Sequence, residues 1–424
     1  MNVLVIGNGG REHAVIKALK KSPKVKKIYA MKGNAGIAED AETVDVDYCD
    51  VQAVGEWVDK KGDIDFTVVT PDDPLALGLV DELESRGHRA FGPRKNAAII
   101  EASKAFSKAL MKKYDIPTAK YETFTSYEAA KAYVEACDIP VVLKADGLAL
   151  GKGVLICQTR EEALDGVREM MLDKKFGTAG NTIVVEEFLE GPEVSCLAFT
   201  DGKTIKPMIT SCDHKRALTG DKGLNTGGMG TFSPAPFFGE KSAKEVMEKI
   251  MLPTVYAMNA EGRPFKGVLY FGLMKTKDGY KVIEYNSRFG DPETQVILPM
   301  LKTDLMEIFE AVVDERLDEV EIEWDSGACV CLVLASGGYP EKYEKGKEIV
   351  FGDLDEDIVV YHAGTAKKEN KTVTSGGRVL GVVAKGKDIE DARAKVYANA
   401  EKIRFDGMYY RQDIGVKYRE IIKE

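Results

Sequence analysis

The sequence predicts an α/β protein of several domains, in which a doubly wound parallel sheet is followed by a central α/β unit and a C-terminal mixed α/β unit. Three observations carry this. The first hundred or so residues alternate strands and helices, the pattern of a parallel sheet with helices on both faces. At 424 residues the chain exceeds what one hydrophobic core usually organises. A polar break, Asp325-Ser326-Gly327, then precedes a new apolar strand at 328–335. The boundaries expected are 1–100, 101–325 with a smaller subdomain near 118–190, and 326–424.

Taken in order, Val3 to Ile6 is the first strand, and Gly7-Asn8-Gly9-Gly10-Arg11 turns into a helix through Leu19. Strands follow at 27–31 and 66–70, with a helix at 54–60 between them. A helix over 102–114 stops before Ile116-Pro117, because the residue before proline avoids the helical region. Thr125-x-x-Glu128 and Thr159-x-x-Glu162 read as capping boxes that open two helices. Between them lie strands at 140–145 and 153–157, joined by Asp146 to Lys152, and another strand runs over 182–188. Strands and turns fill 194–210, and a glycine-rich stretch covers 220–230. A helix at 240–260 leads to a strand at 267–274. The Asp278-Gly279 turn then starts a strand over 280–285. The last unit has strands at 328–335, near 348–361 and at 378–384, then a helix capped by Asp388.

Composition narrows the function. Hydrophobic content of 44% and charged content of 30% describe an ordinary globular chain. No apolar run is long enough for a membrane span, and no basic leader precedes the first strand. A net charge of −10 disfavours nucleic acid as a main partner. The seven cysteines form no Cys-x-x-Cys, and Cys329 and Cys331 fall inside an apolar strand as core thiols. A reducing cytoplasm is expected.

The chemistry concentrates after residue 280. Side chains two apart share a strand face, so Glu284, Asn286 and Arg288 point the same way. A carboxylate with an amide oxygen suits a hard cation such as Mg²⁺, and the guanidinium suits developing phosphoryl charge. Lys144 ends an apolar strand, and the following loop contains Gly147, Gly151, Lys152 and Gly153. Such a loop suits closure over a triphosphate. Glu186-Glu187-Phe188-Leu189 stands where a strand gives way to a loop, a place for an adenine ring. The Gly7 to Gly10 turn invites a dinucleotide, but Glu12 takes the place of the third glycine and the second strand ends in Met31-Lys32 without an acid. A phosphate at the helix N-terminus beside Arg11 fits better.

In this order the motifs resemble the ATP-grasp ligases, and specifically the phosphoribosylamine–glycine ligase family. The likeness runs through Gly7-Asn8-Gly9-Gly10-Arg11-Glu12-His13-Ala14, Gly33-Asn34-Ala35-Gly36, Ser103-Lys104-Ala105-Phe106 and Lys144-Ala145-Asp146-Gly147. It continues through Asp213-His214-Lys215-Arg216, Asn225 to Gly230, Phe289 to Thr294, His362 to Thr365 and Gly376-Gly377-Arg378. The resemblance implies an ATP-grasp fold and the joining of glycine to 5-phosphoribosylamine through glycyl phosphate, with ATP and Mg²⁺ or Mn²⁺. It places ATP at Lys104, Lys144, Gly151, Lys152, Gly153, Glu186, Glu187, Phe188, Leu189 and Glu193. The metal falls to Glu284 and Asn286, and the substrates to Gly9, Gly10, Arg11, Asn34, Asp213, Lys215, Arg288 and Asp291. Arg288, Lys144 and Asp213 are the implied catalytic groups, and His214 is read as orienting rather than as a base. A monomer with small-molecule partners is the simplest expectation. Thr70-Pro71-Asp72-Asp73 departs from the family's Gly-Pro-Glu, and residues 268–274 lack the acid that many ATP-grasp enzymes use on that strand. A related ligase acting on another purine precursor, a nucleotide sensor and an oxidoreductase are the alternatives.

Overall fold

The computed structural model describes residues 1–148 and 153–416. Its N-terminal sheet is parallel throughout, in the spatial order Glu42–Val44, Lys27–Lys32, Asn2–Gly7, Phe66–Val69, Ala90–Phe91. Both faces are covered, which explains the unbroken apolar runs. Leu4 and Ile6 enter one core with Val54 and Leu79, while Val3 and Val5 enter another with Ala14 and Ile16. Chain direction across the sheet switches between Asn2–Gly7 and Phe66–Val69, so a crevice opens beyond the carboxyl ends of these two strands. Gly9 to Arg11 and Asp72 follow them directly.

A four-stranded antiparallel sheet, ordered Tyr121–Phe124, Ile183–Glu187, Val141–Ala145, Val154–Cys157, carries helices Tyr127–Ala136 and Arg160–Met171 over a separate small core. Facing it, Ile205–Pro207, Glu193–Asp201, Lys266–Thr276 and Gly279–Asn286 make a second antiparallel sheet. A third takes strands from both sides of residue 325: Cys212–Asp213 and Gly230–Ser233 pair onto Ala328–Ser336, which pairs with Arg378–Gly386 and, through it, Ile358–His362. Ala328–Ser336 is buried from end to end. Val330, Leu332 and Leu334 face one core, and Cys329 and Cys331 face the other. Among the described residues the cysteines form no disulfide.

Three local expectations are corrected. The helix expected over 102–114 is two helices, Lys95–Ala102 and Lys104–Lys113, with Ser103 extended between them. Ser103 caps the second helix by accepting the Phe106 N–H at 3.0 Å and donates to Asp146 at 3.0 Å. The first capping box is displaced by one residue, since Ser126 rather than Thr125 accepts from Ala129. The second opens at Thr159 as expected, although Glu162 reaches back to Gln158 rather than to the cap itself. The helix over 240–260 contains a π-helical turn, Met247–Met251, before Leu252–Ala260. Pro253 lies just past that turn and cannot donate a backbone N–H, which disfavours regular α-helical bonding there.

Candidate active site

A cavity of about 780 Å³ lies between the Tyr121–Glu187 region and the sheet ending in Gly279–Asn286. One end has apolar walls from Val142, Ile156, Met274 and Ile283, with Phe188 and Leu189 beside them. Strand alternation turns Glu186 inward, where Lys108 Nζ and Lys144 Nζ each stand 3.0 Å from a different carboxylate oxygen. Lys144 also donates to Ile283 O at 2.8 Å, which ties strand Val141–Ala145 to the strand of Glu284. Lys104 donates to Gly147 O at 2.9 Å. Burial pulls the Lys104 ammonium below its ordinary value and brings Lys108 down to about 8. Glu187 turns the other way and accepts from Lys120 N at 2.9 Å. Gly153 and Glu193 line the cavity, while Gly151 and Lys152 lie outside the described residues.

Glu284, Asn286 and Arg288 all face the cavity, as their spacing requires. Lys215 Nζ is 3.1 Å from Glu284 Oε1, and its charge holds the Glu284 carboxyl down to about 2. The same pairing raises Lys215 well above its ordinary value. Arg288 donates weakly to Asn286 Oδ1 at 3.3 Å and pairs with Glu101 Oε1 at 2.8 Å. Its Nε is buried without a protein partner. Two oxygen donors, one an acid held ionised, fit a hard divalent cation. Among the described residues no group of three His, Cys, Asp or Glu is placed to hold a metal ion.

The opposite end gathers Arg11, Asp213, Lys215 and Asp291. Glu12, which spoils the dinucleotide fingerprint, caps the turn by accepting from Gly9 N at 2.6 Å and binds Arg11 Nε at 2.6 Å. Helix geometry then leaves the N–H groups of Gly10 and Arg11 pointing out of the first turn. A Cβ on Gly9 would sit 3.3 Å from Asp291 Oδ2, so this turn and Phe289–Thr294 pack backbone to side chain. Burial, and next the charge of Glu293, push the Asp213 carboxyl well above its usual range. Gly228, at φ +119°, lets its loop approach Asp213, because a Cβ there would stand 2.7 Å from Oδ1. Asn34 is not in the cavity. It donates to Asn8 O and His362 O at 2.9 and 2.8 Å and accepts from Gly36 and Ile37, tying the first domain to the last. His214 is fully buried against Gly230 O.

Several cavity residues carry no role in the sequence reading. Lys108 stands four positions after Lys104 on one helix, so their shared face was a readable signal. Glu101 had no such signal, and Arg378 stood in a family-like string without an assigned role. Arg378 reaches from the C-terminal unit to donate to Gly227 O and Asp291 O, both at 2.8 Å. Glu293 Oε1 is held by Ser195 and Tyr270.

Family models for phosphoribosylglycinamide synthetase match nearly the whole chain: the N domain over 1–101, the ATP-grasp (A) domain over 102–294 and the C domain over 329–417. A phosphoribosylamine–glycine ligase of Halalkalibacterium halodurans is 48% identical over 418 residues, covering 98% of this chain and 97% of its own. Another, from Caldanaerobacter subterraneus subsp. tengcongensis, is also 48% identical over 418 residues, covering 99% and 100%. The crystal structure of phosphoribosylamine–glycine ligase from Thermotoga maritima matches with a TM-score of 0.83 at 35% identity, covering 98% of this chain and 100% of that one. The biotin carboxylase domain of the Hydrogenobacter thermophilus 2-oxoglutarate carboxylase, at 17% identity, covers 96% and 91% with a TM-score of 0.74 and shares the fold alone. With these matches spanning all three sequence segments, the chain belongs to the phosphoribosylglycinamide synthetase family, whose central domain is an ATP-grasp.

Proposed function

We propose that the chain joins glycine to 5-phosphoribosylamine at the expense of ATP, by way of glycyl phosphate, and releases glycinamide ribonucleotide, ADP and phosphate. The observation that carries this is a single cavity with an apolar, lysine-bearing end and an acid- and arginine-bearing end, bridged by Glu284, Asn286 and Arg288. A carboxylate is a poor acyl donor, and transfer of the γ-phosphoryl group to it supplies a leaving group. That step depends on alignment and charge neutralisation rather than on a side-chain nucleophile.

The adenine ring lies between Val142, Ile156, Met274 and Ile283, with its edge on the backbone of Glu187 to Leu189 and Glu193 toward the ribose. Lys104, Lys144 and the loop ending at Gly153 hold the phosphates, and Lys152 belongs to that loop. Glu284 and Asn286 hold Mg²⁺ or Mn²⁺, which when bound offsets charge on the phosphate oxygens. Arg288 brings the guanidinium that lines the cavity to the phosphoryl oxygens in flight. Asp213, half-buried at the opposite end of the cavity, receives the glycine ammonium, and Lys215 stands beside it. The ribose phosphate docks on the Gly9-Gly10-Arg11 turn, with Asp291 fixing the facing loop; Asn34 supports this turn from behind. Small-molecule partners, a cytoplasmic setting and a monomeric chain accompany this reading. No helix among the described residues is long and apolar enough to cross a membrane.

ADP release in a coupled assay, with glycine and phosphoribosylamine each left out in turn, tests the reading. Release should need both substrates. Equal release without phosphoribosylamine, or none with all three substrates and Mg²⁺, would overturn it.

A further inference from the structure

Glu101 is a buried acid that no step of the proposed reaction uses, yet both of its oxygens face the residues that follow the metal-site strand. It lies at the end of helix Lys95–Ala102. Oε2 accepts from the Ser287 N–H at 2.7 Å and from Ser287 Oγ at 2.9 Å. Oε1 pairs with Arg288 Nη2 at 2.8 Å.

The other partners of this guanidinium are weaker. Nη1 to Phe289 O and Nη2 to Asn286 Oδ1 are both 3.3 Å. A charge-assisted contact at 2.8 Å outweighs neutral ones at 3.3 Å. Glu101 therefore decides where the guanidinium plane lies. It also decides where the Ser287 backbone lies, because the same carboxylate takes that N–H.

We infer that Glu101 is the positioning residue for Arg288: it sets the plane of the guanidinium that lines the cavity, and it fixes the loop entry at Ser287. This inference rests on the role proposed above for Arg288. It has a consequence for how the site is assembled. Glu101 is two residues before Ser103, which caps the helix of Lys104 and binds Asp146 just past strand Val141–Ala145. The short segment 101–104 thus reaches Arg288 through Glu101 and the loop after Val141–Ala145 through Ser103 and Lys104.

A double-mutant cycle on the full chain tests this, using Glu101→Gln, Arg288→Ala and the pair together, with kcat and the three KM values read for each. Glu101→Gln should lower kcat about 10- to 100-fold, as loss of an oriented transition-state donor does, and should move KM for ATP less than about twofold. In the Arg288→Ala background the same change should cost less than about twofold, because the residue it orients is gone. Glu101→Asp keeps the charge that neutralises the half-buried guanidinium but withdraws it by one methylene. It should show the kcat loss with a melting temperature close to native, which guards against a Gln variant that folds poorly. Losses that multiply in the double variant, or an unchanged kcat in Glu101→Asp, would overturn the positioning role. An inactive native chain would overturn it together with the proposed reaction, whereas an active native chain with multiplying losses overturns the positioning role alone.

Discussion

Lys215 and Glu284 form an ion pair of 3.1 Å inside the cleft, with each holding the other in its charged form. Glu284 is therefore ionised across the whole working pH range and ready to meet a cation without first losing a proton.

Glu284→Gln and Asn286→Ala should each reduce turnover severely while leaving the fold intact, because each removes an oxygen from an accessible site. Titration of activity with Mg²⁺, alongside circular dichroism, checks this. Native activity at ordinary Mg²⁺ in both variants would remove these residues from the metal site.

The same pair has a signature in stability. A carboxyl lowered from 4.5 to about 2 on folding stabilises the native state fully above pH 4.5, and this is lost as pH falls through the folded value. The difference in melting temperature between the native chain and Glu284→Gln should be level from pH 8 to about 5 and should shrink on further acidification. A difference that grows toward low pH would contradict the pairing.

Arg288→Ala should affect kcat more than any KM if the guanidinium that lines the cavity acts on charge that develops only during phosphoryl transfer. Steady-state kinetics with each substrate varied decides. A raised KM with unchanged kcat would assign Arg288 to ground-state binding.

Arg11→Ala should weaken phosphoribosylamine selectively, by roughly 1.5–3 kcal/mol for one charge-assisted bond. ATP and glycine should bind near normally, because their residues lie on other elements. The three apparent constants measured side by side would expose a defect centred on ATP, which would move the sugar phosphate away from this turn.

Lys108→Met should destabilise the fold by about 3 kcal/mol, the order seen when one partner of a buried ion pair is removed. Glu186 keeps Lys144 but loses the charge on its second oxygen. Urea unfolding measures the loss, and a variant as stable as the native chain would show that Lys144 alone neutralises Glu186.

What could be read from the sequence was what is local in the chain. The parallel sheet followed from strand–helix alternation, and the Glu284-x-Asn286-x-Arg288 face followed from the period of two. The Thr159 and Asp388 caps followed from side chains that bond to backbone three residues on. Where local signals competed, the fold chose: Ser126 took the cap from Thr125, and Ser103 broke a helix because Asp146 needed its hydroxyl.

The sequence by itself determined which residue types were available for phosphate, metal and carboxylate, because strand period, turn chemistry and contiguous motifs act over a few residues. Only the tertiary structure decided which of them meet. Glu101 reaches Ser287 across 186 positions, Arg378 reaches Asp291 across 87, and Asn34 leaves the site to hold His362 across 328. Such contacts depend on how sheets and helices stack to bury their apolar faces. No spacing within the chain encodes that stacking, so a buried acid such as Glu101 shows its purpose only once its partners are placed around it.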